Sequence, residues 1–351
     1  MATSHSRNLK VTKEGRQAQR GGAVRSILGF FFGLGLLAAL ALAAGGYLAY
    51  REATATGPSS TNTIILLQNG SSVTKIAEQL KENNVIRYPE LFKGAVRVKG
   101  VQSQIKAGEY EIPSGASLLE IIEILVEGKS ILHYFTAPEG LTTAQILRLL
   151  AADETLVGDV TLTPGEGVLL PETYAFSRNE SRDEILARMM RAQKETIDAL
   201  WDERAMDLPF GTPEEAIILA SIVEKETGVA GERARIASVF INRLNRGMRL
   251  ESDPTIIYGL TQGEPLGRGL RVSEIRGETP YNTYVIDGLP PTPIANPGRE
   301  SIAAVLSPAE TDELFFVADG TGGHAFAKTL REHQRNVAAW RQIERERRQD
   351  G

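Results

Sequence analysis

The chain has 351 residues, 42% hydrophobic and 24% charged, with no cysteine and a net charge of −5. These are globular proportions for roughly two domains, and the lack of cysteine excludes disulfides and thiolate metal sites. In residues 1–25, six cations (Arg7, Lys10, Lys13, Arg16, Arg20, Arg25) meet one acid, Glu14, giving +5 there and about −10 for residues 26–351, a sign unsuited to nucleic-acid binding.

Residues 26–50, SILGFFFGLGLLAALALAAGGYLAY, carry no charge and are long enough to cross roughly 30 Å of hydrocarbon. They exceed the 7–15 apolar residues or so of a signal peptide, so an uncleaved transmembrane helix is expected, with the basic arm 1–25 in the cytoplasm by the positive-inside rule. Residues 51–62, REATATGPSSTN, are small and polar and read as a flexible linker. The run TIILLQNG then predicts a strand, and Val73, Ile76, Ala77 and Leu80 fall at i, i+3, i+4 and i+7 of a helix.

This strand-turn-helix pattern recurs. GSSVTKIAEQLKE from Gly70 and GASLLEIIEILVE from Gly115 match at glycine, serine, isoleucine, leucine and glutamate positions, and GLTTAQILRLL from Gly140 is a weaker third copy. Ser117 and Glu120 form a capping-box pattern. With the alternation of IKAGEYEIPSG between the copies, residues 63–130 read as a small α/β module of alternating strands and helices, which resembles a LysM-like module, a type of fold that binds N-acetylglucosamine-containing glycans.

From 131 to 345 a second domain is expected, with helices near 183–204, 213–226, 231–246 and 328–347. Residues 288–298, GLPPTPIANPG, hold too much proline for a helix or central strand. In PEEAIILASIVEKETG, Thr212 caps, Pro213 takes the first helical position and Glu215 completes a capping box. Helical spacing places Glu224 on the stripe of Ile217, Ala220 and Ser221, while Glu226 lies about 200° away on the helix. A carboxyl on an apolar face either reaches a salt bridge or solvent, or has its pKa raised and becomes a proton donor of the kind glycosidic cleavage needs.

The segments ASIVEKETG, VFINRLNRGMRLESDPTIIYGL, TPYNTYVIDGLPPTPIANPGRESIAAVLSP and LFFVADGTGGHAFAKTLREHQRNV, with LLPETYAF upstream, resemble the YceG-like (MltG) family of endolytic murein transglycosylases across residues 131–340. The resemblance implies an α+β protein: one transmembrane helix, the LysM-like module and a mixed α/β catalytic domain. It implies a bacterial inner-membrane enzyme, with the folded part on the periplasmic face, cutting nascent peptidoglycan strands alongside peptidoglycan synthases.

It also implies that Glu224 is the catalytic acid and base, protonating the oxygen between N-acetylmuramic acid and N-acetylglucosamine and then deprotonating the muramyl 6-hydroxyl to leave a 1,6-anhydro end. Glu172, Tyr174, Ser252, Asp253, Thr255, Tyr281, Asn282, Thr283, Tyr284 and His324 become candidates for substrate binding, or for fixing their own loops. No cofactor is implied, and His5, His133, His324 and His333 show no metal-ligand spacing. Two alternatives stay open: a glycan-binding protein without catalysis, and a hydrolase that uses water.

Overall fold

The computed structural model describes residues 15–350, so residues 1–14 of the expected cytoplasmic arm, with His5, lie outside the described residues. The chain divides into two compact units between Ile131 and Leu132. Among the described residues the β-structure is three two-stranded antiparallel sheets.

The first unit opens with α1 (Gly15–Thr54), whose span Leu28–Thr54 is long and apolar enough to cross a membrane and has no part of its most hydropathic window buried. It continues through β1 (Thr63–Leu67), α2 (Val73–Glu82), α3 (Pro89–Lys99), β2 (Gly108–Ile112) and α4 (Leu118–Glu127). β1 and β2 pair from Thr63↔Ile112 to Leu67↔Gly108. The order is therefore strand, two helices, strand, helix, and the extra helix α3 interrupts the simple alternation expected from the pattern. Phe92 and Val96 of α3 join Ile65, Leu80, Tyr110 and Ile121 in the core of this unit.

Residues 51–62 do more than tether. The helix continues to Thr54 and buries Ala53 in that core, the Gly57 N–H donates to the Gly115 carbonyl, and the Gly115 N–H donates to the Ser59 carbonyl. Small polar composition predicts mobility only where backbone groups lack partners, and here they have them.

The repeated pattern is physical. Gly70, Gly115 and Gly140 all have φ near +70°, a conformation glycine adopts without strain, and each is followed two residues later by a helix N-cap: Ser72, Ser117 and Thr142. The three helices have 10 residues each. Ser117 and Thr142 close capping boxes with Glu120 and Gln145, whereas position 75 is lysine and Ser72 caps alone.

The second unit contains β3 (Leu132–Thr136), α5 (Thr143–Ala152), β4 (Thr173–Ser177), α6 (Arg182–Asp202), α7 (Pro213–Glu226), α8 (Arg233–Asn245), α9 (Asp253–Thr261), α10 (Val272–Ile275), α11 (Arg299–Leu306), β5 (Phe315–Ala318), β6 (His324–Ala327) and α12 (Leu330–Asp350). A short 3₁₀ turn, Ala230–Glu232, leads into α8. β3 pairs with β4 and β5 with β6.

One core gathers around β3, β4, α5 and α6 (Phe135, Ile146, Leu150, Phe176, Met189) and another around α7, α8 and α11. α7 is central. Ala216, Ile217, Leu219, Ala220, Ile222 and Val223 are all buried, so the middle of the helix is enclosed on nearly every side. Residues 288–298 form no helix or strand, yet Ile294, Ala295 and Asn296 are almost fully buried against α7 and its neighbours.

Candidate active site

The two acids that end α7 have different surroundings. The Glu224 side chain, only 5% exposed, accepts the Gly298 N–H at 3.0 Å and lies 3.8 Å from the Arg233 guanidinium, which also reaches Glu139 at 3.3 Å. Lys225 donates to the Gly140 carbonyl at 3.1 Å. Backbone N–H and guanidinium partners suit an anion, and they fasten the end of α7 to the turns at 138–141 and 295–298. Burial, followed by the charge of Glu224, pushes the Glu139 carboxyl up, against the pull of Arg233.

Glu226 is the last helical residue, at the negative end of the helix dipole, where a carboxylate is disfavoured. It keeps partial solvent access, but its carboxyl is packed deeply enough that desolvation pushes its pKa up to about 7. Asp253 pushes in the same direction, while a hydrogen bond from Ser252 and the charges of His324 and Arg243 pull back. The Ser252 Oγ–H donates to Glu226 Oε1 at 2.5 Å. Glu226, the acid that the helical-face reading set aside, thus has its carboxyl raised by burial. Face angle selects exposure only where a helix has a wet side, and the middle of α7 from Ala216 to Val223 is nearly all buried.

Ser252 occupies the N-cap position of α9 but makes no side-chain cap, because its hydroxyl is committed to Glu226. Its own N–H donates to Thr283 Oγ1 at 2.9 Å, and Thr255 Oγ1 lies 2.9 Å from the same atom. Asp253 accepts the Tyr284 hydroxyl proton at 2.8 Å. His324 on β6 is held by Glu232, with Nδ1 2.7 Å from Oε2. Ser252 thus touches Glu226, the charges of Asp253 and His324 act on it and its own charge acts on Tyr284, with Thr255 and Thr283 as a buried layer behind Ser252.

Other candidates are occupied in their own loops. The Asn282 side chain, fully buried, donates to the carbonyls of Glu274, Ile275 and Gly277 and accepts the Tyr284 N–H. Tyr174 donates to the Leu170 carbonyl at 2.8 Å, and burial pushes its phenol pKa up. Tyr281 pairs with Thr292 at 2.8 Å and packs edge-on against Tyr258. Glu172 is exposed beside β4, where its charge adds to burial in pushing up Tyr174 and Glu139.

Sequence reasoning missed Glu232, Arg233, Arg243, Glu166 and Asn296. The one local signal for Glu226 was its place in the last helical turn, just before the Thr-Gly stop, where an acid is electrostatically misplaced. Among the described residues no group of three or more acidic or histidine side chains is placed to hold a metal. His133 and His333 pack against Phe176 and Phe315. An apolar pocket of about 450 Å³, lined by Val168, Met190, Ile197, Ile217 and Pro293, lies at the other end of α7 from Glu226.

The description of the YceG-like family matches residues 65–339, more than three quarters of the chain. The chain belongs to the YceG-like family. It is 33% identical over 309 residues to the endolytic murein transglycosylase of Bacillus subtilis strain 168, covering 79% of this chain and 84% of that protein. It is 27% identical over 351 residues to the protein of the same name from Streptococcus pneumoniae D39, covering 85% of this chain but 62% of the other, so it spans less than two thirds of the pneumococcal length. A 2.6 Å crystal structure of a putative YceG-like protein from Listeria monocytogenes is 28% identical, with a TM-score of 0.49, covering 79% of this chain and 99% of that one.

Proposed function

We propose that this YceG-like protein is an endolytic peptidoglycan lytic transglycosylase in which Glu226 is the general acid and then the general base. The observation that carries the reading is a carboxyl at the end of α7 that keeps partial solvent access, accepts the Ser252 hydroxyl proton in a hydrogen bond and is raised by burial to about 7. A proton affinity near the working pH is what one residue needs both to give and to take a proton.

In the first half of the reaction, the Glu226 proton passes to the oxygen leaving C1 of the muramyl sugar, and that C–O bond breaks as C1 gains oxocarbenium character. In the second half, the muramyl 6-hydroxyl oxygen bonds to C1 and its proton returns to Glu226. No water is consumed, and because the nucleophile belongs to the substrate no second carboxylate at glycosidase spacing is required. Ser252, donating to Oε1, fixes the carboxyl and leaves Oε2 as the oxygen to face the substrate.

Glycan strands digested by the purified protein should end in 1,6-anhydro-muramyl residues, lighter by one water than hydrolysis products, and mass spectrometry separates the two. Ends of reducing-sugar mass would replace this reading with a hydrolase, and no new ends at all would favour a glycan binder using the first unit.

The span Leu28–Thr54 is compatible with a single membrane anchor. The proposed orientation keeps the basic arm in the cytoplasm and the folded part in the periplasm. An alkaline phosphatase fusion after residue 60 should be active and a fluorescent cytoplasmic reporter there dark. The opposite pattern would overturn the orientation.

A further inference from the structure

Ser252 stands where a serine ordinarily caps a helix, and its neighbours relieve it of that duty. An N-cap serine accepts from the N–H of the second or third helical residue. In α9 the second is Pro254, which has no N–H, and the third is Thr255, whose N–H turns to the Ser252 carbonyl at 3.3 Å. The hydroxyl is left to donate to Glu226 Oε1 at 2.5 Å.

A closed ring of hydrogen bonds holds the serine in that place. The Ser252 N–H donates to Thr283 Oγ1 at 2.9 Å, and the Thr255 hydroxyl donates to the Ser252 carbonyl at 2.7 Å. Having spent its proton there, Thr255 accepts from Thr283 across their 2.9 Å contact, since the 3.4 Å approach of Thr283 to the same carbonyl is a weaker use of its proton. Both main-chain polar groups of Ser252 are thereby fixed, and all three residues are 1% exposed or less. Thr283 grips the preceding residue as well, its carbonyl accepting the Glu251 N–H at 3.1 Å. Glu251 has a φ of +53°, a left-handed conformation that a residue with a side chain keeps only where its surroundings over-determine it. Arg243 supplies the rest of that hold, donating to the carbonyls of Arg249 and Leu250 at 3.0 Å each and to Glu251 Oε2 at 2.9 Å.

We infer that Thr283, closed into a ring with Thr255, is a positioning residue for the reaction: it holds the main chain of Ser252 so that the serine hydroxyl fixes Glu226 Oε1 and the other carboxyl oxygen is presented to the sugar. Thr283 is completely buried, so its task is distinct from touching the glycan. The inference rests on the proposed role of Glu226.

The test is the steady-state kinetics of anhydro-end formation by the full-length protein in detergent, with melting curves alongside, for wild type, S252A, T283V, T283S, T255V and the double variant S252A/T283V. Valine keeps the branched shape of threonine and removes the hydroxyl. S252A and T283V should each lose about 10- to 100-fold in kcat, the scale on which a small misplacement of reacting groups is felt. The ratio kcat/KM should fall equally, as for an interaction made only in the transition state. T283S, which restores the hydroxyl, should recover most of the loss, and T255V should lose less than T283V. The double variant should be no slower than S252A, because Thr283 acts only through the serine.

A folded T283V with wild-type kcat would overturn the inference. So would a rise in KM alone, which would make Thr283 a binding residue, or losses that multiply in the double variant. Should T283V fail to melt cooperatively, T255V decides, and wild-type kcat there overturns the inference equally. E226Q run in parallel separates the two layers. If it cuts like wild type, the underlying assignment of the acid falls, whereas an inactive E226Q beside an unaffected T283V removes only the role of Thr283.

Discussion

E226Q should lose at least about two orders of magnitude in anhydro-end formation, within the 10²–10⁴-fold that general acid–base help typically supplies, while remaining folded. Glutamine can still accept the Ser252 hydroxyl proton in its hydrogen bond, but it can neither deliver a proton to the leaving oxygen nor take one from the 6-hydroxyl. E224Q should behave differently. The amide oxygen still accepts the Gly298 N–H, and what is lost is a charge facing the nearly buried Arg233, so the effect should appear mainly as a stability loss of about 1–3 kcal/mol. If Glu224 is the acid, the two variants exchange behaviour, and digestion of purified strands with both decides between them.

The same substitution has a signature in stability. Glu226 is raised in the fold from an ordinary 4.5 to about 7, so its native-state contribution is fully present below about pH 4 and is lost as pH rises through about 7. Above that pH the wild type carries an enclosed anion, at a cost on the order of 2–3 kcal/mol, and E226Q does not. E226Q should therefore unfold at higher denaturant concentration than wild type at pH 8, and the gap should close towards pH 5. A gap independent of pH would mean that Glu226 titrates like an exposed carboxyl, which would also weaken its case as the acid.

The second large effect is expected at Asn296, which lies in the buried part of the 288–298 loop. Its Nδ2 donates to the Leu141 carbonyl, Thr143 Oγ1 and Glu166 Oε1, each at 3.1 Å, and its Oδ1 accepts the Leu169 N–H at 3.0 Å. Asn296 and Leu169 are both completely buried, so N296A leaves an N–H without a partner and removes a donor from Glu166, whose carboxyl is already pushed up by burial. The expected loss is about 3–5 kcal/mol in urea unfolding. N296D should be no better, because it keeps the acceptor for Leu169 but sets a second carboxylate against Glu166. A loss under about 1 kcal/mol in N296A would show that water or a local shift satisfies these groups.

Much of this architecture could be read from local chemistry. An uncharged run longer than a signal peptide gave the apolar helix, and glycine followed two residues later by serine or threonine gave the starts of α2, α4 and α5. Thr212, Pro213 and Glu215 gave the start of α7. These are short-range signals, each complete within a few residues, because a cap or an apolar stripe is satisfied by its immediate neighbours. The helix α3 was passed over since its buried side, Phe92 and Val96, is too short a stripe to stand out. The start of α9 does not stand out in the sequence, because Ser-Asp-Pro is also turn chemistry.

The sequence by itself determined that two acids would end α7, and the family resemblance it carries singled out Ser252, Asp253, Tyr284 and His324 as candidates. Only the tertiary structure decided which acid is the raised one. Desolvation and charge at a carboxyl depend on what packs over it, and the groups over Glu226 come from the start of α9, from Tyr284 and from β6, the last of these nearly 100 residues away in the chain. Glu224 was tied down in the same way, by Gly298 and Arg233, which no helical spacing within α7 can reveal. A helix whose middle is enclosed on nearly every side has no single apolar face to read from its sequence, so the surroundings of the acids that end it are set by their neighbours in space.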